Sequence, residues 1–312
     1  MPDFVISQSE WTFHSRPGTL VETPSFKLYT TLTPGLLLDR FPRFIELALI
    51  HYSTVLTELP MPTEPLETFI LANRQQWTEL TQRVAGPAAQ TFLRIQRGGF
   101  AYNTRAVYWD IGPHNTLQIA AHEGWHQYTQ SVFKVPLPVW LEEGLATYTA
   151  GFTWDPRSAA NNPTPLFRPW SNPERFDALR TLAAQDRLVP LADLLSSRPQ
   201  DLIRTSSDDT LAYYAQVWAL AHFLAEGASG RYRPELQRLL REHASGAALQ
   251  TLLDTLGPRP ARQTLATRRG PGVFETYFNP DLAAADAEYR AFVQRVTRPG
   301  ARQLMVQGKS PL

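Results

Sequence analysis

The sequence predicts an α+β fold, and three observations support this prediction. The first 110 residues mix strand-like with helix-like patterns, residues 111–312 carry mostly helical patterns, and no segment repeats along the chain. We therefore expect a small mixed β-sheet with N-terminal helices, followed by a mostly helical C-terminal half. With 312 residues the chain can bury a sizeable core, and residues 1–110 and 111–312 are expected to pack as one compact unit.

The first part is predicted to contain strands and helices in alternation. Phe26–Leu32 alternates apolar with polar residues like a strand, and Leu66–Asn73 is predicted to be a second strand. Leu37–Leu59 has a helical period, and Arg74–Gly86 is a short amphipathic helix that a glycine closes. Gly98–Asp110 combines a Gly-Gly break with β-forming residues, which predicts a strand or a hairpin.

The second part is predicted to begin with two helices that prolines separate. The first is capped by Asn115 or Thr116 and runs to about Gln130, and the second starts near Val139. Residues 151–175 contain five prolines, which predicts a long loop. The further helices are predicted at Phe176–Ala184, Asp209–Glu226, Pro234–His243 and Asp281–Val296.

Composition argues against some kinds of partner and excludes some kinds of site. The 30 lysines and arginines nearly balance the 29 acidic residues, and the net charge of +1 gives no reason to expect nucleic acid or an anionic membrane as partner. The chain has no cysteine, which excludes disulfides, a cysteine nucleophile and thiolate metal ligands. No apolar run is long enough to predict a transmembrane helix.

The N-terminal stretch MPDFVISQSEWTF lacks the basic region and the apolar region of a signal peptide. The protein is therefore expected in the cytoplasm if Met1 is the native start. It is expected outside the cytoplasm if a leader precedes this chain. The absence of cysteine is consistent with both compartments.

The stretch Ile119–Tyr128, IAAHEGWHQY, contains two histidines four residues apart. Positions i and i+4 lie on one face of a helix, so His122 and His126 can bind the same metal ion. Glu123 is rotated from His122 by about 100° around the helix, which places it beside the metal rather than on it. A general base needs this position to deprotonate a metal-bound water. The alternative is an ordinary core helix that carries two histidines by chance.

A third metal ligand is predicted in LPVWLEEGLATY, at Leu137–Tyr148. Glu143 follows His126 by 17 residues, and the prolines between them indicate a turn that brings a second helix back across the first. Glu142 and Glu143 differ by about 100° in direction, so only one of them is expected to reach the metal. The alternative is that both belong to a solvated first turn, where the helix dipole favours acidic residues.

These residues resemble the gluzincin zinc metallopeptidases. The string His122-Glu123-x-x-His126, followed by WLEEGLA, resembles the zinc aminopeptidase branch and, more closely, the uncharacterised peptidase MA-like bacterial proteins. Thermolysin-like peptidases are more distantly similar. The resemblance implies a zincin-like fold and one zinc ion per chain, held by the two histidines and one glutamate, with Glu123 as general base. In the family the glutamate directly before glycine is the third ligand, which selects Glu143 over Glu142.

The stretch YYAQVWALAHFL resembles the tyrosine-bearing helix of the same family. It places Tyr214 71 residues after Glu143. The resemblance implies that the Tyr214 hydroxyl stabilises the tetrahedral oxyanion, with Tyr213 as the alternative. An aromatic residue in an ordinary core helix would give the same pattern, because apolar residues follow at helical spacing.

The chain departs from the zinc aminopeptidases upstream of the histidines. Those enzymes carry a G-x-M-E-N string that binds the free amino group of the substrate, whereas this chain reads GGFAYNTRAVYWD, without that glutamate. The difference argues against a standard aminopeptidase. By resemblance, NTRAVYW is expected to be the edge strand along which an extended peptide pairs by backbone hydrogen bonds.

The sequence therefore predicts a zinc-dependent peptidase that acts on a peptide or protein substrate, with no nucleic-acid partner. An alternative from another class is a catalytically inactive metal-binding or interaction module on the same fold. In a third interpretation the histidines are structural and no metal binds. Three features are set aside: His114 is expected to be a loop or capping residue, His222 a satisfied core histidine, and Ala261–Gly272 a surface loop.

Overall fold

The fold is α+β, as predicted. The computed structural model describes residues 4–96, 98–159, 163–199 and 207–312. The N-terminal part contains a six-stranded mixed sheet with helices, and the C-terminal half is mostly helical. Among the described residues, no helix is both long enough and apolar enough to span a membrane.

The elements of the described residues have the following bounds. The strands are β1 Ser7–Phe13, β2 Arg16–Glu22, β3 Phe26–Thr30, β4 Leu66–Leu71, β5 Gly99–Tyr102, β6 Arg105–Trp109, β7 Phe152–Trp154 and β8 Pro165–Phe167. The α-helices are α1 Leu36–Thr54, α2 Arg74–Ala85, α3 Ala89–Phe92, α4 Pro113–Val132, α5 Val139–Thr149, α6 Pro173–Ala184, α7 Leu191–Ser196, α8 Ser207–Glu226, α9 Arg233–Ser245, α10 Ala248–Leu256, α11 Pro258–Thr267, α12 Gly272–Tyr277, α13 Leu282–Val296 and α14 Ala301–Val306.

The strands of the main sheet lie in the order β1-β2-β3-β4-β6-β5. The β3–β4 and β4–β6 pairs are parallel, and the other neighbours are antiparallel. Helices α1 and α2 supply the crossovers that parallel neighbours need. In β3 every second residue is buried, namely Phe26, Leu28 and Thr30. This alternation is the sequence pattern from which the strand was predicted.

The hairpin of β5 and β6 corrects the expectation about the sheet edge. Its turn residues Asn103 and Thr104 have φ angles of 49° and 63°, the left-handed values of a two-residue hairpin turn. Strand β6 pairs with β4 on one side and with β5 on the other. The prediction that NTRAVYW is the edge strand is therefore wrong, and β5 is the edge. Alternation within a strand identifies buried faces but does not identify neighbours.

Three local predictions also need correction. Helix α4 begins at Pro113, and the Thr116 hydroxyl donates to the Gly112 carbonyl at 2.9 Å within the first turn, so neither predicted cap residue starts the helix. Helix α1 ends at Thr54, before the predicted end. The segment predicted as a loop at Ala261–Gly272 is largely helix α11, which begins with a proline in a favoured position.

One compact unit consists of three segments, Met1–Thr54, Pro60–Val132 and Trp154–Phe167. Within it, α4 packs against α1, β5 and β6, and Trp125 of α4 is fully buried. The Tyr52 hydroxyl of α1 donates to the Ala121 carbonyl at 2.7 Å. A Cβ at Gly124 would lie 2.7 Å from that hydroxyl, so glycine allows α1 to approach the helix that carries both histidines.

A second compact unit consists of three segments, Val55–Leu59, Phe133–Thr153 and Arg168–Leu312. Within it, α5 packs against α8. Val217 and Ala221 of α8 are buried, and a Cβ at Gly144 would lie 2.6 Å from the Val217 carbonyl oxygen. In the turn before α5, the Val135 N–H donates to the His243 carbonyl at 3.0 Å. The helix that carries Glu143 is thus fixed within this unit.

Candidate metal centre

Helix α4 presents His122 and His126 side by side. The two imidazole rings are one turn apart, with centroids separated by 5.0 Å and planes at 79°. Both residues are partly exposed, whereas Ala121 and Trp125, which lie about 100° around the helix from them, are fully buried. The i, i+4 spacing places the two rings on one face, as predicted.

Glu123 lies beside the histidines and is oriented by the edge strand. The Ala101 N–H of β5 donates to the Glu123 Oε2 at 3.1 Å. A backbone donor stabilises the ionised carboxylate, which is the form that can accept a proton. Tyr108 of β6 is buried, and its pKa is raised well above the ordinary value by burial and by the negative charge of Glu123. Glu123 therefore accepts a hydrogen bond from a backbone amide and lies close enough to Tyr108 for its charge to disfavour ionisation of that phenol.

Helix α5 carries Glu143 on an otherwise buried segment. Trp140, Leu141 and Leu145 are at most 1% exposed, so the helix is fixed by its apolar residues, while Glu143 is half-buried. Glu142 is 8% exposed. The interpretation of this carboxylate pair as a solvated first turn does not apply, because neither glutamate is exposed.

The described residues include one group of side chains that can hold a metal ion, formed by His122, His126 and Glu143. Each offers one ligand atom, and these atoms all lie within 4.8 Å of one another. Two imidazole nitrogens and one carboxylate oxygen form a standard ligand set for zinc, with a fourth position available to a water or substrate. The group contains Glu143 and not Glu142.

Two neighbouring tyrosines of α8 differ in their surroundings. Tyr214 is half-buried, and the Arg175 guanidinium lies 5.2 Å from the centroid of its ring. Tyr213 is 2% exposed, and its hydroxyl has no hydrogen-bond partner among the described residues. Burial raises the pKa of Tyr213, the negative charge of Glu143 raises it further, and the positive charge of Arg269 opposes this. The Tyr213 hydroxyl is thus a buried donor close enough to Glu143 to feel its charge.

Sequence reasoning missed two contributors to this region. One is the Ala101 amide, whose donor role no side-chain pattern reveals. The other is Arg269, whose charge reaches Tyr213 although the surrounding segment was predicted to be a surface loop. A pair of arginines directly before Gly-Pro, at the end of a helical pattern, is the signal that was available in the sequence.

The two discounted histidines lie outside the group. His114 is exposed in the first turn of α4. His222 is fully buried, with Nδ1 3.2 Å from Glu226 Oε1 and Nε2 3.3 Å from the Pro169 carbonyl oxygen. The Trp170 ring stacks on the His222 imidazole at a centroid distance of 3.6 Å. The prediction of a satisfied core histidine at His222 is confirmed.

Comparison of the chain with protein-family models, with curated proteins and with solved structures gives no match. The functional inference therefore rests on the residues themselves. They form an α+β protein with a His-His-Glu group that can hold one metal ion.

Gly144 makes the position of α5 testable by one substitution. In Gly144→Ala the new Cβ would meet the backbone of Val217, which cannot rotate away as a side chain can. The overpacking is expected to lower the free energy of unfolding by about 1–3 kcal/mol. The higher helix propensity of alanine offsets ~1 kcal/mol of this loss. Zinc affinity is expected to fall as well, because α5 must shift. Urea unfolding and zinc titration measure both effects. Gly35→Ala is the control, since its nearest neighbour would be 3.9 Å away; equal behaviour of the two variants would refute the prediction.

Proposed function

We propose that this protein is a zinc-dependent peptidase of the gluzincin type. The observation that supports this proposal is the convergence of His122, His126 and Glu143, with Glu123 next to the first histidine in α4. Three protein ligands leave a coordination position open, which distinguishes hydrolytic zinc sites from closed structural ones. Zinc bound there would act as a Lewis acid on a substrate carbonyl and would lower the pKa of a water molecule.

In this proposal Glu123 is the general base. Its carboxylate accepts a proton from the attacking water and returns the proton to the leaving amine, so that both products depart in stable forms. The Ala101 N–H holds one carboxylate oxygen at 3.1 Å. This hydrogen bond restrains the side chain of Glu123 beside the two histidines.

A tyrosine of α8 is proposed to donate to the developing oxyanion. The sequence resemblance assigns this role to Tyr214. The structure instead favours Tyr213 for it, because the Tyr213 hydroxyl is buried and has no hydrogen-bond partner among the described residues. A preorganised donor stabilises the transition state most where water is excluded. Tyr213 is the more buried of the two.

The two tyrosines can be separated by a pair of conservative variants. Removal of an oxyanion donor costs about 100-fold to 1,000-fold in kcat, so either Tyr213→Phe or Tyr214→Phe is expected to show this loss while KM and zinc content stay close to the wild-type values. The other variant serves as its control. If neither variant changes kcat, the proposal that α8 contributes an oxyanion donor is wrong.

Peptide cleavage is the experiment that tests the proposed function. A peptide library is incubated with the purified protein, with a chelator, and with zinc restored after chelation. Cleavage that stops with the chelator and returns with zinc is the expected result. Zinc binding without cleavage of any peptide would instead identify a catalytically inactive metal-binding module. The sites of cleavage would also show whether internal or terminal bonds are hydrolysed.

A further inference from the structure

The start of α5 has no side-chain cap. Pro138 occupies the N-cap position and makes no side-chain hydrogen bond to the helix. The first N–H of an α-helix has no partner inside the helix and needs one elsewhere. At α5 this group belongs to Val139, and the Leu137 carbonyl on the other side of Pro138 also needs a donor.

A single residue satisfies both groups. The Arg268 carbonyl accepts the Val139 N–H at 3.0 Å, and the Arg268 Nε donates to the Leu137 carbonyl at 2.7 Å. Backbone and side chain of one residue thus hold the two sides of Pro138. Charge does not explain an arginine here, because a cation near a helix N-terminus opposes the helix dipole. The hydrogen-bond geometry does explain it.

Arg268 itself is firmly placed. It ends α11 in the left-handed conformation, with φ of 55° and ψ of 28°, and its N–H donates to the Thr264 carbonyl at 2.8 Å. On one side, Arg198 donates to the Thr267 carbonyl. On the other, the Gly270 N–H donates to the Leu195 carbonyl at 3.0 Å. The segment that contacts α5 is therefore held in place by Arg198 and Leu195.

We infer that Arg268 is a positioning residue for the metal ligand Glu143, an inference that rests on the proposed function. Glu143 lies four residues after Val139, about 6 Å along the helix at 1.5 Å per residue. Within its unit, helix α5 is held by Arg268 at its start and by the close contact of Gly144 with Val217 next to the ligand. Release of the first contact lets the helix tilt about the second. The Glu143 backbone then moves little, but the tilt displaces its carboxylate, because that group projects outward from the helix axis.

The test uses two variants that break the contact from opposite sides. Arg268→Gly removes the guanidinium and suits the left-handed backbone, so it adds no conformational strain. Val139→Pro removes the N–H that Arg268 accepts, and proline is favoured at the first helical position. Arg290→Ala is the matched control, because Arg290 also donates to a backbone carbonyl, that of Leu188, at 3.1 Å in the same unit.

Zinc affinity is measured by competition with a chromophoric chelator, and unfolding of the metal-free protein is measured separately. Arg268→Gly and Val139→Pro are each expected to weaken zinc binding by about tenfold, the lower end of the range for loss of groups that orient metal ligands directly, because Arg268 acts on Glu143 through the helix. Arg290→Ala is expected to lower stability with unchanged zinc affinity. Wild-type zinc affinity in a folded Arg268→Gly or Val139→Pro variant, or an equal loss of affinity in Arg290→Ala, would overturn the inference. If the wild-type protein binds no zinc, the proposed function fails first, and the role of Arg268 fails with it.

Discussion

Replacement of Glu123 by glutamine is expected to abolish most peptide hydrolysis while leaving zinc binding intact. Glutamine has the same shape and can still accept the Ala101 N–H through its amide oxygen, but it cannot take a proton from water. A general base contributes about 100-fold to 10,000-fold to the rate, and a loss of kcat in this range is predicted. Zinc content and kcat are measured on the same preparation.

Glu67→Gln provides a control for the loss of a carboxylate in the same unit. Glu67 forms a partly exposed ion pair with Arg105 at 2.5 Å, and its loss is expected to leave kcat unchanged because such pairs contribute little. A Glu123→Gln variant with full activity would exclude Glu123 as the base. A variant that loses zinc together with activity would show instead that Glu123 supports the metal site.

Acid is expected to destabilise the protein through His243. This residue is fully buried, and burial lowers its pKa to about 4, against smaller opposing effects from hydrogen bonds to Val135 and Pro136 and from the charges of Glu242 and Glu142. In the unfolded chain a histidine has a pKa of about 6.5. Between these values the unfolded state binds more protons than the folded state, so stability falls as the pH falls. The stabilisation present above pH ~6.5 is lost by pH ~4 and amounts to about 3 kcal/mol, at 1.36 kcal/mol per pKa unit.

His243→Asn isolates this contribution. The asparagine amide can take over the donor role of Nδ1, which lies 3.1 Å from the Val135 carbonyl oxygen, but it does not titrate. Urea unfolding at pH 7 and at pH 4.5 is expected to show a smaller loss of stability in the variant than in the wild-type protein. The same pH dependence in both would mean that other groups, such as His51, whose pKa burial lowers to about 4, govern the acid response.

The histidine pair of the candidate metal group was predictable, because it depends on the local geometry of one helix. The choice of Glu143 over Glu142 came from the family resemblance and not from spacing. The spacing of His122 and His126 determines that their side chains share a helix face, and the structure places Glu143 with them. Helices with a clear apolar period, such as Asp281–Val296, were also found close to their predicted bounds. In such segments the burial of one face determines the conformation.

Features that depend on distant residues were not predictable. The hairpin of β1 and β2 carries mostly exposed or half-buried residues, so its alternation is too weak to identify it. The position of β6 inside the sheet depends on its pairing with β4. The contact of Arg268 with Leu137 joins residues separated by 131 positions. A contact of this kind leaves no periodicity or spacing in the sequence. The local pattern of Ala261–Gly272 therefore led to the prediction of a surface loop.

Metal analysis of the purified, untagged protein tests the central claim most directly, with His122→Ala measured beside it. We expect about one zinc ion per chain in the wild-type protein, because a three-ligand site of this type binds one ion, and we expect that zinc to be lost in the variant. Absence of zinc from the wild-type protein, even after incubation with zinc, would contradict the account. The two histidines of α4 would then belong to an ordinary core helix.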